Sequence, residues 1–262
     1  MRWLALILAA LAALAGLTWL GWNAVRRAPA GRLTVDWSPA SQLSPGVSIR
    51  EGKVPAASVW RVLDLSVDPA RAVLRISRKV GGGALAEMIP EGAVAAVNGG
   101  YFDERYRPTG WLVDGSRELR ARRNRSQGGV LALKKGALFI GPLADVPFAP
   151  ELALQNSPRL VEKGGRVGIR SDDGKRASRT VACDAAGRLH LIVVSAPLGD
   201  GPTLLQTARF LAADPREGGM GCGTALNLDG GPSTSLWLPG AADVDSVPSR
   251  ASIAYGLAVL PR

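Results

Sequence analysis

Histidine is nearly absent: His190 is the only one in 262 residues. That excludes a histidine-based nucleophile triad and a multi-histidine metal site. His190 alternates with Leu189 and Leu191, so it reads as a structural or surface position. Cysteine is almost as scarce. Cys183 and Cys222 are too few for a structural zinc site, and no C-x-x-C occurs. They fit either one disulfide in an oxidising compartment or two unrelated buried thiols. Neither G-x-G-x-x-G nor G-x-x-x-x-G-K-[ST] follows a strand, which removes the Rossmann and P-loop readings. Acidic residues are also short, 22 against 32 Lys and Arg, and the net charge is +10. Such an excess suits anionic partners such as phosphates, acidic polysaccharide or anionic lipid. No helix-turn-helix, zinc-finger or RNA-binding signature accompanies it, so nucleic acid is not expected as a partner.

A long apolar run occurs once. Arg2 is followed by about twenty mostly apolar residues, Trp3 to Trp22, long enough to span a bilayer. Trp3, Trp19 and Trp22 lie near its ends, where interfacial aromatics sit. Residues 1–30 therefore read as a membrane anchor or a signal peptide. Ala28-Pro29-Ala30 offers a cleavage pattern, but Arg26-Arg27 just before it and the length of the run favour a retained anchor. The expected place of the remaining chain is the periplasmic or extracellular side, held to the inner membrane by residues 3–22.

Residues 31–45 have two prolines and no clear period, and read as a linker. From 46 to 262 short strands dominate. Val47–Ile49 and Val59–Val80 alternate apolar with polar residues, with a turn at Asp68-Pro69. Gly81-Gly82-Gly83 reads as a flexible break, followed by a helical turn over 84–89 that carries Glu87. Hairpins are expected at Asp114-Gly115, at Lys134-Lys135-Gly136 and at 184–187. Thr203 to Asp214 is the best helix, with Thr203 as its cap. Many strands, few helices and no βαβ rhythm predict an α+β fold with a mainly antiparallel or mixed sheet.

Two stretches share one pattern. In residues 225–238, Leu226 and Leu228 alternate with Asn227 and Asp229, and Gly230-Gly231-Pro232 then breaks the strand. Ser233, Thr234 and Ser235 follow. In residues 93–103, a small apolar strand likewise ends in Asn98, Gly99-Gly100 and, shortly after, Asp103. Each reads as an ordinary turn or as a bare loop that a ligand can approach closely. Five arginines fall in the nine residues from Arg117 to Arg125. They form either a solvated basic loop or a rim that steers anions.

Asn98-Gly99-Gly100-Tyr101-Phe102-Asp103, Gln155-Asn156-Ser157-Pro158-Arg159-Leu160-Val161, Ser178-Arg179-Thr180 and Asn227-Leu228-Asp229-Gly230-Gly231-Pro232-Ser233-Thr234-Ser235 resemble, in order, the motifs of the phosphodiester glycosidase family. The likeness runs over roughly residues 47–260. Pro232 stands where many members carry Gly or Ser, and it removes one N–H donor. The resemblance implies hydrolysis of a sugar-1-phosphodiester in an envelope or extracellular glycan, with an exopolysaccharide as one context. It implies catalytic roles for Asp229 and Arg179, with Asp103 and Glu87 as further carboxylates. It implies a substrate-binding set of Asn98, Gly99, Gly100, Thr180, Asn227, Gly230, Gly231, Ser233, Thr234 and Ser235. The backbone N–H groups of the two Gly-Gly pairs, with Arg179, are the candidates for the phosphate. No cofactor and no metal ligand is expected. The alternative is a non-catalytic module that binds or assembles an anionic polymer, and a third reading is a basic membrane-associated scaffold.

Overall fold

The computed structural model describes residues 33–57, 59–121, 123–240 and 244–262. The anchor or signal segment, residues 1–30, lies outside them, as does Arg122 of the arginine run. Among the described residues no helix is long and apolar enough to cross a membrane.

In chain order the strands begin with β1 (Asp36–Trp37), β2 (Ser41–Ser44), β3 (Val47–Lys53), β4 (Arg61–Val67), β5 (Ala72–Gly83) and β6 (Ala95–Asn98). Next come β7 (Leu112–Asp114), β8 (Arg117–Arg120), β9 (Gly129–Lys134), β10 (Ala137–Pro142), β11 (Leu152–Asn156), β12 (Arg159–Glu162) and β13 (Arg166–Val167). The last are β14 (Arg179–Ala185), β15 (Arg188–Ser195), helix α1 (Leu204–Ala212), β16 (Thr224–Asn227), β17 (Leu236–Trp237) and β18 (Ile253–Pro261).

Three sheets result. The largest has the order β1-β3-β4-β15-β14-β16-β12-β13, with β2 also on β3; the others are β10-β9-β11-β7-β8 and β17-β6-β18-β5. All pairings among the described strands are antiparallel, so the mixed alternative drops out. The three expected hairpins form.

Strand alternation builds the core. Leu63, Leu65 and Val67 of β4 and Leu189, Leu191 and Val193 of β15 point inward, against Leu131 and Leu154 of one small sheet and Val97 and Leu257 of the other. The opposite face of the large sheet takes Val62, Ile192 and Val194 and is covered by Phe210 and Leu211 of α1. That helix starts with a complete capping box between Thr203 and Gln206. Cys183 of β14 and Cys222 form a disulfide, Cα–Cα 5.8 Å, on the same face.

Two expectations fail. Residues 31–45 are not a bare linker from Leu33 onward. Leu33 and Val35 are buried beside α1, and β1 and β2 pair with β3. Two prolines there mask a sequence that supplies apolar residues at alternate positions. Gly81-Gly82-Gly83 does not end its strand either: β5 runs on to pair Gly83 with Ile253 of β18, although the ladder shifts register between Arg78 and Gly83, where Gly81 and Gly82 take positive φ.

Candidate active site

Three strand ends meet where the large sheet abuts the sheet containing β6. In β16 and just beyond it, Leu226 and Leu228 enter the core, so Asn227 and Asp229 take the other face. β14 runs antiparallel to it with Val181 opposite Asn227. Arg179 stands two residues before Val181 and Asp229 two residues after Asn227, at the same end of the two strands. The pairing continues past the ladder: Leu228 N donates to Thr180 O and Gly231 N to Ser178 O. A Cβ on Gly230 would come 2.9 Å from Ser178 O and 3.9 Å from Arg179 Cα, so the chain after Asp229 lies directly against the start of β14.

Asn98 clamps the third strand end to these two. Its Nδ2 donates to Asp229 O at 2.8 Å, while its Oδ1 accepts from Thr180 Oγ1 at 2.6 Å and from Ser235 N at 3.0 Å. Asn98 and Thr180 are buried, and these bonds commit the Asn98 amide and the Thr180 hydroxyl. Ser235 is fully buried and donates its hydroxyl to Ser233 O. These three residues build the site and are not free to meet a sugar hydroxyl. Thr234 is buried as well.

Tyr101 sits at the centre, a residue named in the sequence motif but given no role there. Its hydroxyl accepts from Asn227 Nδ2 at 3.0 Å. Burial pushes its phenol up and the Asp229 charge adds to this, while the Asn227 hydrogen bond and the Arg179 charge pull it down. Asp229 and Arg179 therefore both act on one hydroxyl. Asn156 fixes the loop, accepting from Tyr101 N and donating to Asn227 O. Only the position of Tyr101, immediately after Asn-Gly-Gly, signalled it in the sequence.

The Asp229 carboxylate is half-buried. Its pKa is raised by burial, and hydrogen bonds from the Ser233 side chain and from Gly230 N hold it partly back. Among the described residues no cation stands within ion-pair distance of it. Burial likewise lowers the pKa of Arg179. Its Nε donates to Pro202 O at 3.1 Å and one terminal nitrogen to Lys175 O at 2.7 Å, which leaves part of the guanidinium fork for a ligand.

The Gly-Gly pairs do not form an anion nest. Gly99 N donates to Tyr255 O, Gly230 N to Asp229 Oδ1 and Gly231 N to Ser178 O. Gly100 N donates to the Tyr255 hydroxyl. Gly99 is glycine because a Cβ there would lie 2.3 Å from the Tyr255 ring. All four N–H groups already have partners in the fold. With Gly231 N engaged in this way, the donor that Pro232 lacks matters little.

Two carboxylates proposed for catalysis are engaged elsewhere. Asp103 closes its own loop: it accepts from Arg105 N and Arg107 N and pairs with the Arg107 side chain at 2.7 Å, which pulls its pKa down to about 2. Glu87, on the turn Leu85–Met88, is exposed and paired with Lys79 at 2.8 Å. The Lys79 bond lowers its pKa. Neither shares a contact with Asp229. His190 bonds through Nδ1 to buried Asp64, on the face of the large sheet that α1 covers. Among the described residues no three His, Cys, Asp or Glu side chains gather as metal ligands.

A sequence model of the phosphodiester glycosidase family matches residues 91–260, well over half of the chain. No curated protein matches by sequence. Among solved structures, the zebrafish N-acetylglucosamine-1-phosphodiester alpha-N-acetylglucosaminidase catalytic domain, auto-inhibited by its pro-peptide, is similar in fold. The TM-score is 0.61 and the identity 17%, over 90% of this chain and 86% of that one. A Synechocystis protein described as hypothetical matches with TM-score 0.62 and 15% identity, over 88% of this chain and 68% of that one.

Proposed function

The chain belongs to the phosphodiester glycosidase family, and from that premise we propose that it hydrolyses a sugar-1-phosphodiester. The family supports a glycosidase-type hydrolase; the particular bond and the setting are this proposal. The observation that carries it is the half-buried Asp229 carboxylate, with no ion-pair partner among the described residues, at the strand end that also carries Arg179, both acting on the Tyr101 hydroxyl.

The chemistry fits one carboxylate. Cleavage breaks the bond between the anomeric carbon and the phosphate oxygen. The electron pair leaves with the phosphate, and water supplies hydroxyl to the sugar and a proton to solvent or base. A phosphomonoester is a good leaving group, so no strong general acid is needed at the leaving oxygen. This explains why Asp103 and Glu87 can be committed elsewhere without loss. Positive charge develops at the anomeric carbon. The Asp229 carboxylate opposes it in a partly desolvated setting, where charges interact more strongly than in water. Arg179 would hold the phosphate through the remaining part of its fork. Tyr101, whose oxygen already accepts from Asn227, can donate its proton toward the bound ligand.

The excess of basic residues and the apolar segment 3–22 support an envelope or extracellular polymer as the source of the substrate, reached from the outer side of a membrane. The test is release of free sugar from a synthetic sugar-1-phosphodiester by the full chain in detergent. Turnover is expected to need ionised Asp229. The raised pKa then places the acid limb of kcat/KM above the ordinary aspartate value of about 4. No sugar release, or a rate that holds constant down to pH 4, would remove Asp229 chemistry as written.

A further inference from the structure

A second cluster of charged side chains lies outside the Asp229 site. A cavity of about 510 Å³ is lined by Arg107, Arg120, Arg123 and Arg125, with Asp103, Thr109 and Asn124. Its charges are not balanced within the fold. Arg107 has Asp103. Arg123 stacks on Trp111 at 4.6 Å and stands 3.9 Å from Glu118. Arg120 and Arg125 have no acidic partner among the described residues, and Arg120 Nε is buried without any hydrogen-bond acceptor. A buried guanidinium nitrogen without an acceptor is costly, and like charges gathered in one basin repel. An anion in the basin removes both costs.

The basin is tied to the proposed active site by two short relays. Thr109 lines it and donates through both N and Oγ1 to Tyr101 O. Asn124 lines it and is held by Gln155, whose Oε1 accepts from Asn124 N and whose Nε2 donates to Asn124 O. The next residue, Asn156, holds Tyr101 N and Asn227 O. Adjacent residues of β11 thus pin the arginine loop and the catalytic loop in one frame.

We infer that the basin formed by Arg107, Arg120, Arg123 and Arg125 is a second anion subsite, which holds a neighbouring phosphodiester of the same polymer while one bond is cut at Asp229. This rests on the reading of the chain as a sugar-1-phosphodiester hydrolase. The guanidinium forks of Arg120 and Arg125, which have no acidic partner among the described residues, match phosphate oxygens bidentately, whereas a carboxylated or neutral glycan would use them less fully. The inference predicts preference for a polyphosphodiester over a single unit.

The experiment compares two substrates on the full chain in detergent: a synthetic sugar-1-phosphodiester with one phosphate, and a trimer joined by phosphodiesters. The double variant Arg120→Gln with Arg125→Gln orphans no acidic partner among the described residues. For the trimer its KM should rise roughly tenfold or more, with kcat unchanged. For the single unit KM should stay within about twofold. Equal effects on both substrates, or none, would overturn the subsite. If the wild type releases sugar from neither substrate, the hydrolase reading fails on its own. Calorimetric binding of the trimer then decides the basin: weaker binding by the variant supports it, and unchanged binding rejects it. A variant that loses binding to phosphatidylglycerol vesicles, yet keeps the wild-type KM for the trimer, would assign the basin to lipid headgroups and reject the inference.

Discussion

The strand ends at Asn98-Gly99-Gly100 and Asn227–Gly231 look alike in sequence and do different work. The first is closed. Both of its glycine N–H groups bond Tyr255, whose ring fills the space that a side chain would need. The second is open on one side: a Cβ on Gly231 would meet nothing within 4 Å, and Asp229 keeps a half-buried carboxylate free of ion pairs among the described residues. The carboxylates that follow diverge in the same way. Asp103 is held ionised by Arg107, while Asp229 is pushed toward its neutral form by burial. One strand end thus builds a wall and the other leaves a carboxylate for the proposed chemistry. What separates them is the neighbour that packs against each, which lies far away in the chain.

The widest separation is expected in turnover. Asp229→Asn keeps shape and most hydrogen bonds but removes the charge, and kcat on a sugar-1-phosphodiester should fall roughly a hundredfold or more. Asp103→Asn should leave kcat on the same single-phosphate substrate within about threefold, because its carboxylate is committed to Arg105 and Arg107 and shares no contact with Asp229. Steady-state kinetics with circular dichroism as a folding control would check both. If Asp103→Asn lost more than Asp229→Asn, the two loops would exchange roles.

Glycine substitutions should separate the loops by stability. Gly99→Ala places a methyl group against the Tyr255 ring, and overpacking of this kind costs about 1–3 kcal/mol. Gly231→Ala meets no neighbour but sits at φ +58°, so its cost should be about 1 kcal/mol of backbone strain. Urea unfolding of each variant measures the difference. Equal losses would mean that the Tyr255 contact does not set the Gly99 position.

Much of this contrast could be read from sequence, and the missing part has a clear cause. The alternation of Leu226 and Leu228 with Asn227 and Asp229 correctly set the polar pair on one face, because period-two patterning is local. Hairpins at Asp114-Gly115 and Lys135-Gly136 and the Thr203 cap were equally local. The role of Tyr255 was hidden because it lies in a strand whose apolar pattern marks it only as core. The saturation of three of the four Gly-Gly N–H groups was hidden for the same reason: their acceptors, Tyr255 and Ser178, lie far away in the chain, and only Gly230 N finds its acceptor next door, on Asp229. The pairing of Asp103 with Arg107 was closer to legible, since the two lie four residues apart.

Arg179→Lys tests the open loop more gently. Lysine keeps the charge and loses the fork, along with at least one of the bonds to Pro202 O and Lys175 O. KM for the phosphodiester should rise, with a smaller fall in kcat, by roughly tenfold in kcat/KM. A fall in kcat alone would move Arg179 from holding the phosphate to stabilising the transition state.

The smallest expected effect is the sign of a pH dependence in stability, which should be opposite for the two carboxylates. Asp103 has a folded pKa of about 2, below its unfolded value of about 4. Its contribution is fully present above the unfolded value and is lost as pH falls through the folded one. Asp103→Asn should therefore lower Tm at pH 7, and the gap should close on approaching pH 2. Asp229 has a raised folded pKa, so the folded state holds its proton more tightly than the unfolded chain does. Stability then falls as pH rises from the unfolded value through the folded one, and at pH 7 the ionised group is a net penalty. Asp229→Asn should leave Tm equal or higher at pH 7, with the gap closing as pH falls below about 4. Thermal unfolding of both variants between pH 2 and pH 7 reads the two signs directly. A lower Tm for Asp229→Asn at neutral pH would show that its bonds to Ser233 and Gly230 outweigh its burial, and that this loop too is built for stability before chemistry.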